Sequence, residues 1–149
     1  MRVPKKIRYA VRLLIDLALQ SEGSRKAISI NKIAQNEEIS SKFLSQIILY
    51  LKNYGLIKAE RGAGGGYRLN KPPDEITIYD VFLALEGLPA FAECVEKPAN
   101  CRRSSFCAAH ELWAELSCSF SKRLKEINLA GLANRTKELS GKPAICYQI

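Results

Sequence analysis

Three of the five cysteines and the only histidine stand within CVEKPANCRRSSFCAAH, the stretch from Cys94 to His110. Thiolate and imidazole together suit zinc or an iron–sulfur cluster. They equally suit a disulfide knot, or a thiol nucleophile beside its base. The spacing is Cys94-x6-Cys101-x5-Cys107-x2-His110. Cys107 and His110, i and i+3 at the expected start of a helix, can point one way. Cys94 and Cys101 come from a polar loop able to wrap inward. Cys118 lies 11 residues past Cys107, about 16 Å along a helix, too far to share one small site. Structural zinc knuckles use close pairs such as Cys-x2-Cys, and this segment has none. A cluster accommodates longer loops, and histidine can replace cysteine on an iron. Spacing therefore favours metal ligation, with a cluster ahead of zinc. A nucleophile lacks any evident oxyanion or substrate pocket, and an idle surface His110 is the bland alternative.

The rest of the chain narrows the choice. An odd cysteine count without an export signal argues against a disulfide framework. The opening MRVPKKIRYAVRLLIDLALQSEG begins basic and turns apolar, as signal peptides do. Arg12 and Asp16 interrupt that run, however, and no small-residue cleavage site follows. The run is also shorter than the roughly 20 residues of a membrane span. A cytoplasmic chain with no membrane partner is expected. With 149 residues, 47% of them apolar, it can pack one ordinary domain or a small domain with an appendage.

The formal charge of +8 is uneven. Residues 1–73 hold 14 Lys/Arg against 5 Asp/Glu, whereas residues 74–149 hold 9 against 10. Only the first half is thus expected to meet a polyanion, although a basic surface alone can simply be solvated.

The elements that must carry these groups follow from periodicity. Ile7, Ala10, Val11, Leu14, Leu17 and Ala18 recur at helical spacing and predict a first helix ending near Ser21–Gly23. Ser29 can cap a short second helix with Ile30, Ile33 and Ala34. Asn36-Glu37-Glu38 reads as a polar break. Ser40 then caps a third helix that buries Leu44, Ile47, Ile48 and Leu51, and Gly55 stops it. This is helix-turn-helix layout, with Ser40, Ser41, Lys42 and Gln46 offering donors for phosphates and base edges. A plain helical bundle is the competing reading. Leu56–Glu60, Arg61-Gly62-Ala63-Gly64-Gly65-Gly66 and Tyr67–Leu69 read as a hairpin. A phosphate-binding loop would have to open a helix, but strand and then Pro72-Pro73 follow here. The hairpin is better read as a wing, with Arg61 suited to a minor groove and Gly64, Gly65 and Gly66 forming a slim tip.

In the second half, TIYDVFLALEGLP reads as a helix from Thr77 that Gly87 and Pro89 end. Residues 93–105 read as loop. After it, Leu112, Leu116, Phe120, Leu124 and Ile127 make an apolar stripe on a long helix, which Trp113 widens. Such a helix suits a second copy across a two-fold axis, although packing on its own chain is the simpler use. LANRTKEL reads as one more short helix. The expected fold is mainly α with a small β-hairpin, a winged helix-turn-helix plus a long dimerisation helix. The expected organisation is a DNA-binding region over 1–73 and a linker helix, cysteine loop and dimerisation helix over 74–140. Residues 141–149 are expected to be a flexible tail.

MRVPKKIRYAVRLLIDLAL, ISINKIAQNEEISSKFLSQIILYLKNYGLIKAERGAGGGYRL and the three-cysteine loop together resemble the IscR-type winged-helix regulators, whose relatives include NsrR, RirA and CymR. The resemblance covers about residues 1–130. It implies a homodimeric, DNA-binding transcriptional regulator, a repressor and not an enzyme, acting on a double-stranded operator. By position it implies Cys94, Cys101, Cys107 and His110 as ligands of an iron–sulfur cluster, two-iron ahead of four-iron. Arg8 stands where some nitric-oxide-sensing relatives carry a ligand aspartate, which disfavours their arrangement. The CymR branch lacks the cysteine triplet. A zinc site or a thiol redox switch on the same head is the alternative. A thiol-dependent enzyme comes after both.

Overall fold

The computed structural model describes residues 2–21 and 27–140. It is mainly helical with one antiparallel hairpin, as expected. Helix α1 (Lys5–Ser21) buries Ile7, Ala10, Leu13, Leu14, Leu17 and Ala18, the face drawn by its helical spacing. The far end of its expected stop, Gly23, lies outside the described residues, as do the expected tail and Cys146.

Helix α2 (Ile30–Glu37) starts at Ser29, whose Oγ accepts the Lys32 amide at 3.3 Å. Helix α3 (Ser41–Asn53) starts at Ser40, whose Oγ accepts the Phe43 amide at 3.3 Å. Each hydroxyl satisfies an amide that the first turn of a helix leaves free. The break between the two helices is shorter than expected. Helix α2 runs through Asn36 and Glu37, and Glu38 alone takes the left-handed conformation, with φ 54°. The reason lies on α1. Asn36 Nδ2 donates to Asp16 Oδ2 at 3.0 Å, and Arg12 Nε lies 2.5 Å from Glu37 Oε2. Residues that read as a polar break are held helical by partners distant in sequence.

Gly55 stops the α3 region with φ 83°. Strand β1 (Ile57–Glu60) then pairs with β2 (Gly66–Leu69), with Ile57 opposite Leu69 and Glu60 opposite Gly66. Leu56, expected in the strand, instead donates its amide to the Leu51 carbonyl at 2.9 Å. The far edge of β2 is not free. Ile28 and Tyr67 exchange amide-to-carbonyl hydrogen bonds of 2.9 and 2.8 Å.

Helix α4 (Ile78–Leu85) carries a reciprocal cap. The Asp80 amide donates to Thr77 Oγ1 at 3.3 Å, and the Thr77 amide donates to Asp80 Oδ2 at 2.9 Å. At its other end Lys6 Nζ donates to the Leu85 carbonyl at 2.6 Å and lies 3.1 Å from Glu86, a cation where the helix dipole favours one. Residues 93–105, read as loop, contain short turns: α5 (Glu93–Glu96), a 3-10 turn at Pro98–Asn100 and the start of another at Ser104–Phe106. Single turns leave no apolar period to read. Helix α6 (Ala108–Glu126) and helix α7 (Leu129–Ser140) complete the described chain.

Ile127, expected on the α6 stripe, lies beyond that helix. Its carbonyl accepts the Ile78 amide, and the Leu129 amide donates to Ile76, both at 2.9 Å. One cluster of buried side chains joins α1, α3, the wing, α4, α6 and α7. Leu14, Leu44, Ile76, Val81 and Leu129 sit within it at 0% exposure. No helix among the described residues is long and apolar enough to cross a membrane.

Candidate nucleic-acid interface and metal-ligand loop

The outer surface of α3 carries the residues expected to read DNA. Leu44, Ile47, Ile48 and Leu51 turn inward, leaving Ser41, Lys42, Ser45 and Gln46 exposed. Ser40 is committed as an acceptor to its cap, which leaves its hydroxyl proton to donate. Ser45 Oγ donates to the Ser41 carbonyl at 2.8 Å, so its proton is used within the helix. Lys42 and Gln46 project a cation and an amide, groups suited to phosphates and to purine edges. Leu49 and Tyr50 are exposed on the same helix, at 55% and 49%. Periodicity gives no signal for either, because only the inward stripe has a period.

On the wing, Arg61 is exposed at the tip side of β1. The three glycines after it differ in what they do. Gly64 has open space around it, as a slim tip needs. A Cβ on Gly65 would lie 2.6 Å from the Glu60 carbonyl oxygen, so Gly65 closes the hairpin on itself. A Cβ on Gly66 would lie 2.2 Å from the Ile28 carbonyl oxygen. Glycine there lets the wing lie against the Ile28 segment that leads into α2. Glu60 and Arg68 pair across the strands, which leaves Arg61 as the arginine of the turn.

The second candidate lies at the start of α6. Cys107 is its N-cap residue and His110 sits in its first turn, as the i and i+3 spacing predicts. Cys94 lies in α5, and Cys101 follows the turn at Pro98–Asn100, donating its amide to the Pro98 carbonyl at 3.1 Å. All three are half-buried free thiols, while Cys118 is exposed. Among the described residues no three His, Cys, Asp or Glu side chains stand gathered as a metal group.

His110 nevertheless carries a mark of such chemistry. Its Nδ1 is buried and has no hydrogen-bond partner, an arrangement that native packing normally avoids. Ser104, Phe106, Cys107, His110 and Glu111 line an open hollow beside it. The donor types, three thiols and one imidazole, fit an iron–sulfur cluster or zinc. Sequence reasoning missed Ser117, which fixes this region. Its Oγ accepts the Phe91 amide at 2.9 Å and donates to the Trp113 carbonyl at 2.6 Å, pinning the segment before Cys94 onto α6. A serine between apolar helix positions gives no signal of that use.

The α6 stripe divides along its length. Leu124 is buried and Phe120 packs edge-on against Phe82 and Phe91. Leu112, Trp113 and Leu116, nearer His110, are 47, 38 and 41% exposed. One half of the stripe thus packs on its own chain, and the other half faces outward.

Comparison with known proteins agrees with this architecture. The chain is 34% identical over 144 residues to the HTH-type transcriptional regulator IscR of Photobacterium profundum, covering 95% of this chain and 82% of that one. Its structure is similar to IscR of T. potens, with TM-score 0.74 and 28% identity over 99% of this chain and 95% of that one. It is also similar to CymR, the global cysteine regulator of B. subtilis, with TM-score 0.73 and 32% identity over 91% and 98% of the two chains. These relatives are regulators, which sets the thiol-enzyme reading aside. Residues 3–135 match the family model described as Rrf2, an iron-dependent transcriptional regulator, and with the helix-turn-helix and wing just described, the chain belongs to the Rrf2 family of transcriptional regulators.

Proposed function

We propose that this chain is a cytoplasmic, homodimeric repressor whose operator binding responds to an iron–sulfur cluster held by Cys94, Cys101, Cys107 and His110. The single observation that carries the metal-ligand reading is the buried, unpartnered Nδ1 of His110 in the first turn after Cys107. Similarity to proteins named IscR supports it, and a two-iron form is favoured over a four-iron one. Gathering the four donors requires the turns bearing Cys94 and Cys101 to close on the start of α6. When bound, such a group supplies a redox-sensitive tie between that loop and the helix. The chain's own residues supply the rest. Ser40, Ser41, Lys42 and Gln46 present α3 to a major groove, while Arg61 and the Gly64–Gly66 tip form the wing. Ser117 holds the loop segment to α6, and Leu112, Trp113 and Leu116 meet a second copy.

Purification without oxygen, followed by visible absorbance and iron and sulfide analysis, tests the ligand set. Coloured protein with matched iron and sulfide is expected, and His110→Ala and Cys107→Ser should each lower the iron retained per chain. Colourless protein holding one tight zinc per chain would replace the cluster reading with the zinc alternative. Unchanged iron in both variants would remove these residues from the site.

A further inference from the structure

Helix α3 places four aliphatic side chains inside, Leu44, Ile47, Ile48 and Leu51. Leu49 is a fifth and is treated differently. It is 55% exposed and belongs neither to the core nor to the partly buried side chains packed on it. A lone exposed leucine on a soluble surface ordinarily needs no explanation. Its alignment supplies one here. Lys42, Gln46 and Leu49 stand at i, i+4 and i+7, one line along the outer surface of the helix, and all three are exposed. Tyr50, the neighbouring exposed residue, is engaged elsewhere: Lys6 Nζ lies 5.6 Å from its ring centre.

We propose that Leu49 is a specificity-determining residue that reads the 5-methyl group of a thymine in the operator. This rests on the reading of α3 as the helix that enters the major groove. In that groove lysine suits guanine O6 and N7, and glutamine suits adenine N6 and N7. Thymine alone presents a methyl group. An aliphatic side chain can gain only from that methyl. Set against cytosine instead, it would strip water from the N4 amine and offer no acceptor in return. Leu49 is thus selective by what it lacks as well as by what it covers. Three residues of helix separate it from Gln46, a rise of about 4.5 Å. The spacing of bases along one strand is about 3.4 Å. The thymine therefore falls within one or two base pairs of the base that Gln46 contacts.

The test uses the full chain, purified anaerobically, and a duplex enriched by it from a random-sequence library. Each thymine of that duplex is replaced in turn by uracil, which removes the methyl and nothing else. One thymine per half-site should show a loss of about fourfold in affinity, equivalent to about 0.8 kcal/mol for one buried methyl-sized group. Leu49→Ala should bind the thymine duplex about fourfold more weakly and be indifferent to uracil at that position. Uracil tolerance throughout in the unmodified protein would overturn the assignment. So would a Leu49→Ala protein that keeps the same sensitivity. If no duplex is enriched at all, the DNA reading itself fails and takes this assignment with it.

Discussion

Glu37 shows how one carboxylate can serve the head and oppose it. Burial disfavours its charge most strongly, Arg12 pulls the other way, and Asp16 adds repulsion; the balance raises its pKa above 4.5. Arg12 Nε lies 2.5 Å from Glu37 Oε2, and its charge and hydrogen bond offset the burial only in part. With the folded pKa above the unfolded one, Glu37's contribution is fully present below about pH 4.5 and is lost as pH rises through the raised value. Relative to Glu37→Gln, the unmodified protein should therefore lose stability as pH climbs above 4.5. Denaturant midpoints of the two proteins measured across that window check it, and a constant difference refutes it. At this scale the sequence identified residue types well and their duties less well. Ser29 and Ser40 cap as expected because capping needs only local backbone. Gly65 and Gly66 read as part of a slim DNA-facing tip, yet what requires glycine at both is backbone, that of the hairpin itself and of Ile28.

At the scale of elements, the segment between α4 and α6 is tied to α6 by the Ser117 hydrogen bond and by Phe91 packing on Phe120. Replacing Ser117 with alanine leaves the Phe91 amide without its partner and removes one anchor of the chain entering α5. Ser117→Ala should cost about 1 kcal/mol, the net worth of one hydrogen bond at a part-buried site. Chemical denaturation measures it, and faster amide exchange at Phe91 should accompany the loss. Helices with long stripes, α1, α3, α4 and α6, are legible because burial of one face imposes a period. The turns at residues 93–106 are not, since three or four residues cannot display one. The continuation of α2 through Asn36 and Glu37 escaped the sequence for another reason: its stabilising partners, Asp16 and Arg12, lie a helix away.

For the whole molecule, the outward half of α6 is the consequential surface. Leu112 and Leu116 lie one turn apart and both are exposed, with Trp113 beside them. On the proposed homodimer these side chains leave water at the two-fold interface. A Leu112→Glu, Leu116→Glu protein should then sediment as a monomer while keeping its helical content, because neither residue contributes to the core. Sedimentation velocity alongside circular dichroism reads both quantities. Association unchanged from the unmodified protein would place the interface elsewhere. The buried half of the same helix belongs to a core that α1, α4 and α7 share, so α6 serves its own chain at one end and faces outward at the other.

By itself the sequence determined the order of the helices longer than one turn, the hairpin, both serine caps and the collection of soft ligands beside a helix start. Each of these depends on neighbours within a few residues or on the period of a single buried face. Tertiary structure decided which half of the α6 stripe stays exposed, why Gly66 must be glycine and how residues 127–129 pair with 76–78. It also left His110 Nδ1 buried without a partner. These outcomes join positions tens of residues apart, and only the packed chain brings their atoms within reach of one another.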